Sequence, residues 1–559
     1  MSLTLLALGF VALLFVAYRL YGGWVARQFV LDDARTTPAN EVNDGVDYVP
    51  TRPFYLFGQH FSAIAAAGPI AGPILACQAF GWLPCLLWIA LGVVLIGAVH
   101  DFSSLAASVR HGARSIAEIT REHLGRKAGA AMMGFIWIAL VYVIVAFTDI
   151  TAGTFVAGSE ELRQTNVTFH PGGAVAAASV MYLLLSVALG LVQRYLDPPL
   201  WLVTLIFVPA TFALAWLGTK FSTVLLLDHK TWGVLILVYC GVASLVPVWS
   251  LLQPRGYLGG FVLYSALAVG VIGVVFGGYE IQQPAFKSWS APGIAGTLFP
   301  FLFVTIACGA CSGFHGLVCS GTTSKQIDRE RDIKPVGFGA MLAEGFVALI
   351  ALVTIMIVAQ GSIKHGTAPG TIYGNGIGNF LSLLIGPQNL QFAVTFGAMA
   401  FSTFVFDTLD VCTRLGRYIV QELFGWRGRG GALVGTLLTV AVPFYFIFYA
   451  TPGSWVEFWT LFGASNQLLA ALTLLAITVW LYQARQRIGF TLFPMLFVLT
   501  ITLWALVRIV VGNLRASSGF DIKLVNAIAA SAFVTLAVYL VVAALIKLRG
   551  ERRASLAPA

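Results

Sequence analysis

Ala67-Gly68-Pro69-Ile70-Ala71-Gly72-Pro73 lies in the middle of an apolar run that covers residues 58–79. A proline removes a backbone donor and clashes with the preceding turn of a helix. Two prolines four residues apart, each after a glycine, therefore predict a membrane helix that unwinds halfway. Small residues also permit close helix packing, but the repeated Gly-Pro pair favours the broken helix.

A second apolar run, 295–318, is interrupted by three glycines and a serine between Ala307 and Gly316. Unwound backbone inside a bilayer is tolerated only where it is buried in protein or lines a cavity. Two such helices in opposite orientations indicate the central site of a secondary transporter. Half-helix N-termini suit a carboxylate, and unwound carbonyls suit a cation. We predict that the substrate binds at these breaks, to Gly68, Pro69, Gly72, Pro73, Gly309, Ser312, Gly313 and His315.

The composition indicates that lipid is the solvent for most of the chain. Of the 559 residues 58% are hydrophobic and only 10% are charged, whereas a soluble domain carries roughly 25% charged residues. About 15 apolar runs are long enough to cross a bilayer, and a further piece near 378–386 is too short and suggests a re-entrant or lid segment. We predict an all-α integral membrane protein with about 15–16 transmembrane helices.

The charge distribution predicts an orientation. The net charge is +9, but no Lys/Arg-rich run with interleaved aromatics is present, so nucleic acid is not an expected partner. With the N-terminus periplasmic and the C-terminus cytoplasmic, most Lys and Arg residues face the cytoplasm of a bacterial inner (plasma) membrane. The expected partners are the lipid bilayer and a small-molecule substrate, and the sequence leaves the oligomeric state open.

Three regions follow from this topology. Residues 1–57 hold an N-terminal span and a cytoplasmic loop, 58–481 form the transporter core, and 482–559 form C-terminal peripheral spans and a cytoplasmic tail.

Ionisable residues inside membrane spans are costly and usually functional. We predict roles in proton carriage, cation binding or gating for His100, Asp101, Glu344, Asp407 and Asp410. Asp407, Asp410 and Arg414 share one helical face, which leaves a structural Asp410–Arg414 ion pair as the alternative. Two further acids lie at span ends and are expected to be solvated: Asp149 and Glu457.

Metal and cofactor chemistry has weak support. Cys308, Cys311, His315 and Cys319 form one helical stripe, but a straight helix cannot surround a tetrahedral ion. His60 with the pair His100-Asp101 is a weaker mixed candidate. We therefore expect no resident metal and no cofactor beyond a coupling H⁺ or Na⁺, and we expect Asn466-Gln467 to bond to neighbouring helices.

Enzyme motifs are also missing from the sequence. It contains no hydrolase elbow, P-loop, Rossmann fingerprint or His-Glu-x-x-His motif. The chain is therefore not expected to be an enzyme, and transport would be driven by an ion gradient.

Short segments along nearly the whole chain resemble the carbon starvation protein A (CstA) family, within the amino acid–polyamine–organocation superfamily. They are Asp47 to Thr51, Phe57 to Phe61, Ala67 to Pro73, Gly81 to Pro84, Gly97 to Phe102, Ala307 to Lys325, Phe338 to Leu342, Thr408 to Asp410, Thr413-Arg414, Gly416 to Tyr418, Leu461 to Gly463 and Ser465 to Leu468.

This resemblance implies symport of pyruvate or short peptides with protons or sodium, when carbon is scarce. It also implies a LeuT-like inverted-repeat core, in which 58–79 and 295–318 are the first and sixth helices and 393–418 is the eighth. In relatives of that fold the eighth helix often contributes hydroxyls to a cation site, which points to Ser402 and Thr403. Extra spans are expected at 231–250 and 258–277.

The sequence leaves three alternatives to secondary transport open. The first is a starvation-linked membrane sensor or receptor without flux. The others are a metal-dependent intramembrane enzyme that uses the Cys/His stripe, and a channel.

Overall fold

The computed structural model describes residues 2–45, 47–156, 169–291, 296–363, 367–449 and 455–556. This part of the chain is helical except for loops and one antiparallel pair of two-residue strands, β1 (Ser290–Ala291) and β2 (Gly296–Thr297). The helices are α1 (Leu3–Val16), α2 (Gly22–Phe29), α3 (Pro38–Val42), α4 (Pro53–Ile64), α5 (Gly68–Phe80), α6 (Trp82–Gly92), α7 (Ala98–Arg110), α8 (Ile116–Leu124), α9 (Arg126–Val156), α10 (Pro171–Leu196), α11 (Leu200–Lys220), α12 (His229–Leu245), α13 (Leu252–Phe276), α14 (Leu298–Thr305), α15 (Gly313–Gly321), α16 (Ala340–Met356), α17 (Pro369–Ile385), α18 (Leu390–Phe424), α19 (Gly428–Tyr449), α20 (Trp455–Gln483), α21 (Gly489–Ala516) and α22 (Ile522–Leu556).

Short irregular helices connect some of these elements. Segments of π-helix join α1 to α2, join α6 to α7 and lead into α16, at Ala17–Tyr21, Val93–Gly97 and Lys334–Gly339. Single 3₁₀ turns lie at Val248–Ser250, Thr323–Gln326, Glu330–Asp332 and Pro387–Asn389.

The helices form a membrane bundle. Within the described residues, 12 helices are long and apolar enough to cross a membrane, or 13 if α4 and α5, which are bent by 46°, count as one span. The predicted span at 231–250 corresponds to α12, an apolar helix of 17 residues. The predicted span at 295–318 is divided into α14 and α15, and the short piece near 378–386 is the end of the 17-residue helix α17.

Burial separates the central helices from the lipid-facing ones. The apolar windows of α20 and α18 are 100% and 89% buried inside the protein, whereas that of α11 is only 17% buried. A helix that is apolar all round and fully buried lies in the core, and one that exposes most of its apolar surface faces lipid. Helix α5 packs against α16 and α17, and α14 and α15 pack against α20.

Candidate functional site

The first break separates α4 from α5 at Ala65–Ala67, just before the Gly-Pro repeat. Ala65 leaves helical geometry (φ −74°, ψ 50°) and ends α4 by donating to the Phe61 carbonyl at 2.8 Å. Pro69 lies in the first turn of α5, where a backbone N–H would have no partner within the helix, so a residue without one is tolerated. The prediction of a broken helix is thus confirmed, but Gly68 to Pro73 begin the second half-helix and are not themselves unwound.

The second break covers Ile306 to Ser312, between α14 and α15. Ile306 (φ −100°, ψ 58°) and Ser312 (φ −116°, ψ 126°) both leave helical geometry. Side-chain donors from two neighbouring helices satisfy the freed carbonyls, as buried backbone requires. They are Gln467 Nε2 to Phe303 O (2.8 Å), Trp459 Nε1 to Thr305 O (3.0 Å) and Trp88 Nε1 to Ile306 O (3.2 Å). The two tryptophans were not predicted to act at the site.

The first turns of α5 contact the end of α14 and the second break, and the two segments run in opposite directions. A Cβ built on Gly68 would meet the Cys308 side chain, and one built on Gly72 would lie 2.6 Å from the Thr305 carbonyl oxygen. As the numbering rises along α5, it falls along the second break. The predicted opposite orientation of the two broken helices is therefore observed, and the contact leaves no room for a side-chain carbon at either glycine.

Asn466 occupies the N-terminus of α15. Its Oδ1 accepts from the Phe314 N–H at 2.9 Å, and its Nδ2 donates to the Ser312 hydroxyl at 3.0 Å. Gly313 packs so closely on α20 that an added Cβ would lie 2.5 Å from the Ala470 nitrogen. The prediction that Asn466-Gln467 bond to neighbouring helices is confirmed. The Phe314 N–H, which was expected to be free for substrate, therefore donates to Asn466 instead.

A buried cluster of carboxylates and imidazoles lies at the second break. Asp101 on α7 faces His100 Nδ1 at 2.7 Å and His315 Nδ1, from the first turn of α15, at 2.8 Å. The other ring nitrogen of His315 lies 3.2 Å from a Glu344 oxygen on α16. All four side chains are at most 1% exposed. His315, predicted to bind substrate, is thus placed among the predicted ion-coupling residues.

Glu344 is poorly compensated within this cluster. The His315–Glu344 contact falls short of hydrogen-bond geometry, and neither Glu344 oxygen has a hydrogen-bond partner in the described part of the chain. A buried carboxylate without hydrogen bonds is costly as an anion. Glu344 is therefore well suited to exchange a proton.

The Cys/His stripe does not exist as one helical face. Cys308 and Cys311 lie in the unwound second break, whereas Cys319 lies on α15, 3.9 Å from His60 Nε2. All seven cysteines are buried and free. Among the described residues, neither the stripe nor the group His60, His100 and Asp101 brings its ligand atoms close enough together for a metal.

Arg255 was not predicted as a site residue, because it lies between the predicted spans 231–250 and 258–277. It lies in the first turn of α13, is 0% exposed, and has Asp407 at 2.5 Å from its Nη2. Its Nη1 donates to Asp410 and to the Tyr239 hydroxyl, and that hydroxyl donates to Asp410 at 2.7 Å. The two carboxylates of α18 thus share one buried guanidinium.

The Asp410–Arg414 ion pair, the structural alternative for these residues, is not formed among the described residues. Arg414 Nη2 instead donates to the carbonyls of Ala243 (2.6 Å) and Val246 (2.8 Å), at the C-terminal end of α12. Free carbonyls at a helix C-terminus attract a cation. That interaction and the closer Arg255 together explain the difference.

The two hydroxyls suggested for a cation site lie on the same helix as this network. Ser402 shares a hydrogen bond of 2.8 Å with Ser179 of α10. Thr403 lies beside Gly259 of α13, and its hydroxyl has no hydrogen-bond partner in the described residues.

The two acids at span ends differ from each other. Glu457 is exposed, as predicted. Asp149 is 1% exposed and lies 3.3 Å from His229 Nε2, so the expectation that it is solvated was wrong. His229, the first residue of α12, lies next to the Asp149 carboxylate. Local sequence patterns do not predict this contact, because the two residues are 80 positions apart.

A surface pocket of about 400 Å³ lies elsewhere, between α3, the end of α7 and Glu330. None of the predicted site residues lines it. We place the functional site at the breaks, because buried ionisable groups and satisfied unwound backbone are concentrated there.

Replacing Arg255 with alanine is expected to destabilise the protein by about 3–5 kcal/mol, because the buried Asp410 and the partly exposed Asp407 lose their shared cation. The measurement is the thermal unfolding of the detergent-purified protein. Arg508→Ala, at an exposed arginine, is the matched control and should change stability by less than about 0.5 kcal/mol. Equal stability of the two variants would show that the network does not hold α13 to α18.

Breaks in two central helices interrupt backbone hydrogen bonding, and here they lie beside buried charges. Such features are typical of membrane transporters, and that is the class to which this protein belongs. The profile of the carbon starvation protein CstA family matches residues 1–375 and 358–505, so the chain belongs to that family.

Two relatives with about 30% identical residues support the same assignment. The chain is 32% identical over 569 residues to the peptide transporter CstA of Campylobacter jejuni, covering 88% of this chain and 78% of the relative. It is 31% identical over 595 residues to the pyruvate/proton symporter BtsT of Escherichia coli K12, covering 89% and 80%. Among solved structures, a manganese transporter from Eremococcus coleocola is similar with a TM-score of 0.45 and 14% identity, covering 88% of this chain and 95% of that one.

Proposed function

We propose that this protein is a secondary transporter of the bacterial inner membrane that imports a small carboxylate-bearing nutrient, pyruvate or a short peptide, together with a proton. The observation that carries the proposal is the placement of Asp101, His315 and Glu344 at the second of two antiparallel helix breaks. Alternating access would rearrange α4/α5 and α14/α15 within a LeuT-like inverted-repeat core. The N-terminus is periplasmic and the C-terminus cytoplasmic in this proposal.

The chemistry of His315 favours a proton over sodium as the coupling ion. Both of its ring nitrogens face carboxylates. A neutral imidazole has only one N–H, so both contacts are attractive only when the ring carries a second proton or Glu344 is itself protonated. In this proposal the additional proton, carried by either His315 or Glu344, is the coupling proton. Both Asp101 oxygens are occupied by imidazoles, which leaves little of the oxygen coordination that a sodium ion needs.

The substrate is proposed to bind where the half-helices α5 and α15 begin. Their N-termini carry partial positive charge, which suits a carboxylate. A carboxylate arriving at α15 would replace the Asn466 oxygen that the Phe314 amide now donates to. Exchange between Asn466 and the substrate would link binding to movement of α20.

The test is uptake of labelled pyruvate and of a labelled dipeptide into proteoliposomes, with proton and sodium gradients imposed separately. We expect one of the two solutes to accumulate under an inward proton gradient, and not under a sodium gradient at equal pH. Counterflow of labelled solute in the absence of any gradient separates a carrier from a sensor without flux. Uptake that follows sodium alone would contradict proton coupling, and absence of counterflow for both solutes would contradict transport of these substrates.

A further inference from the structure

A second histidine-containing cluster lies outside the proposed transport site, where α7, α8 and the end of α20 meet. Among the described residues, His111, Glu122 and His123 offer three ligand atoms that all lie within 4.8 Å of one another. They were not among the predicted metal ligands, although two histidines and a glutamate within thirteen positions are a signal that the sequence contains. We propose that these three residues bind a divalent transition metal such as Zn²⁺, which departs from the expectation of no resident metal.

The strongest reason is the way the two imidazoles face each other. Their Nε2 atoms are 2.8 Å apart, while each Nδ1 faces an oxygen. His111 Nδ1 lies 2.7 Å from the Ala107 carbonyl, which can only accept, so the proton of that ring is on Nδ1. His123 Nδ1 lies 2.5 Å from Gln483 Oε1 and is the donor in the same way. Both Nε2 lone pairs then point at each other, an arrangement that a cation between them stabilises.

The outer partners are those that metal-binding histidines have. A ligating histidine usually donates its other N–H to a carbonyl or a carboxylate, which fixes the tautomer and the ring orientation. Trp480 packs edge-on against His111, with ring centroids 5.0 Å apart, and further restricts that ring. Both rings are therefore oriented before a metal arrives.

The backbone that carries the three ligands is also well anchored. Helix α8 begins with a capping box formed by Ser115 and Glu118. The preceding turn is tied down by the Ser108 hydroxyl, which donates to the Arg114 carbonyl at 2.8 Å. Ligands held on such elements need little reorganisation on binding.

The two imidazoles fit zinc with only a small shift. With Zn–N distances of about 2.0 Å, two nitrogens of a tetrahedral ion lie roughly 3.3 Å apart, so one ring moves by about half an ångström. Glu122, whose side chain is 43% exposed and whose ligand atom lies within 4.8 Å of the others, turns toward the ion to supply the third ligand. One of its oxygens accepts from Arg114 at 2.7 Å, and the other is available to the ion. Two imidazoles and a carboxylate leave a fourth position for water, and this donor set suits zinc better than calcium or magnesium.

The experiment measures zinc bound to the full-length protein, purified in detergent with a histidine-free tag and treated with a chelator. We expect one zinc per chain after dialysis, and a higher unfolding temperature with zinc than without. His111→Ala and His123→Ala should each weaken binding by at least about tenfold, and His170→Ala, at a histidine distant in sequence, should leave it unchanged. Gln483→Leu removes the partner of His123 Nδ1 and should weaken binding roughly tenfold.

The rival explanation is a proton shared between the two rings, with the Gln483 amide turned the other way. In that case the wild-type protein would hold no more zinc than His123→Ala. Zinc bound equally by wild type, His111→Ala and His123→Ala would also overturn the proposal, since the metal would then lie elsewhere. Neither readout depends on transport, so the metal site and the transport function fail or stand separately.

Discussion

Replacing Glu344 with glutamine is expected to abolish accumulation driven by a proton gradient while leaving counterflow intact. Glutamine has the shape of a protonated glutamate but cannot release a proton. With one proton per substrate, each pH unit supports a tenfold accumulation ratio, so a gradient of two units supports about 100-fold. In Glu344→Gln that ratio should fall to about one. The measurement is labelled-solute uptake by proteoliposomes at matched protein content.

The matched control is Glu457→Gln, which changes an exposed carboxylate on α20. Its accumulation ratio should equal that of the wild type. Neither oxygen of Glu344 accepts a hydrogen bond in the described residues, so the glutamine variant should unfold within a few degrees of the wild-type temperature. Gradient-driven uptake that survives in Glu344→Gln would remove this residue from the coupling mechanism.

Gly72→Ala is expected to destabilise the contact between α5 and the end of α14, and to stop transport. A helix interior favours alanine over glycine by about 1 kcal/mol, so propensity alone predicts stabilisation. The added Cβ, however, would lie 2.6 Å from the Thr305 carbonyl oxygen, which Trp459 holds at 3.0 Å. Overpacking against atoms that cannot move costs about 1–3 kcal/mol. Because the obstacle here is backbone, we expect a cost in the upper part of that range, which exceeds the gain in helix propensity.

The measurements are unfolding temperature in detergent and counterflow in proteoliposomes. Gly134→Ala, on α9, is the matched control, because a Cβ added at Gly134 would point into open space, with no contact within 4 Å. That variant should be at least as stable as the wild type and should transport normally. Normal counterflow by Gly72→Ala would show that the close approach of the breaks is not needed for transport.

The sequence was sufficient where local chemistry decides the outcome. The apolar runs predicted the helices of the bundle, and the Gly-Pro repeat and the glycines near Gly309 predicted both breaks. The position of the first break was displaced by a few residues, because Pro69 is compatible with a first helical turn and the chain unwinds before it. Family segments distributed along the chain identified the family itself.

Contacts between distant segments were not predicted in the same way. Arg255 looked like a loop residue because it follows a proline between two apolar runs, yet the carboxylates of Asp407 and Asp410 hold it inside the bundle. In the same way, Arg414 donates to a carbonyl near the C-terminal end of α12, a helix far away in the sequence. Spacing along one helix identified which residues share a face, but not which helix that face meets.

Hydropathy and backbone chemistry, which act over a few turns of chain, were enough for the sequence by itself to determine a membrane bundle with two broken helices and buried ionisable groups. Only the tertiary structure decided that His315 lies between Asp101 and Glu344, that Asn466 caps α15, and that His111 faces His123. The physical reason is the sequence distance over which each interaction acts. Whether a helix breaks depends on the backbone hydrogen bonds that neighbouring residues can form, whereas a charge cluster depends on distances between segments far apart in the chain.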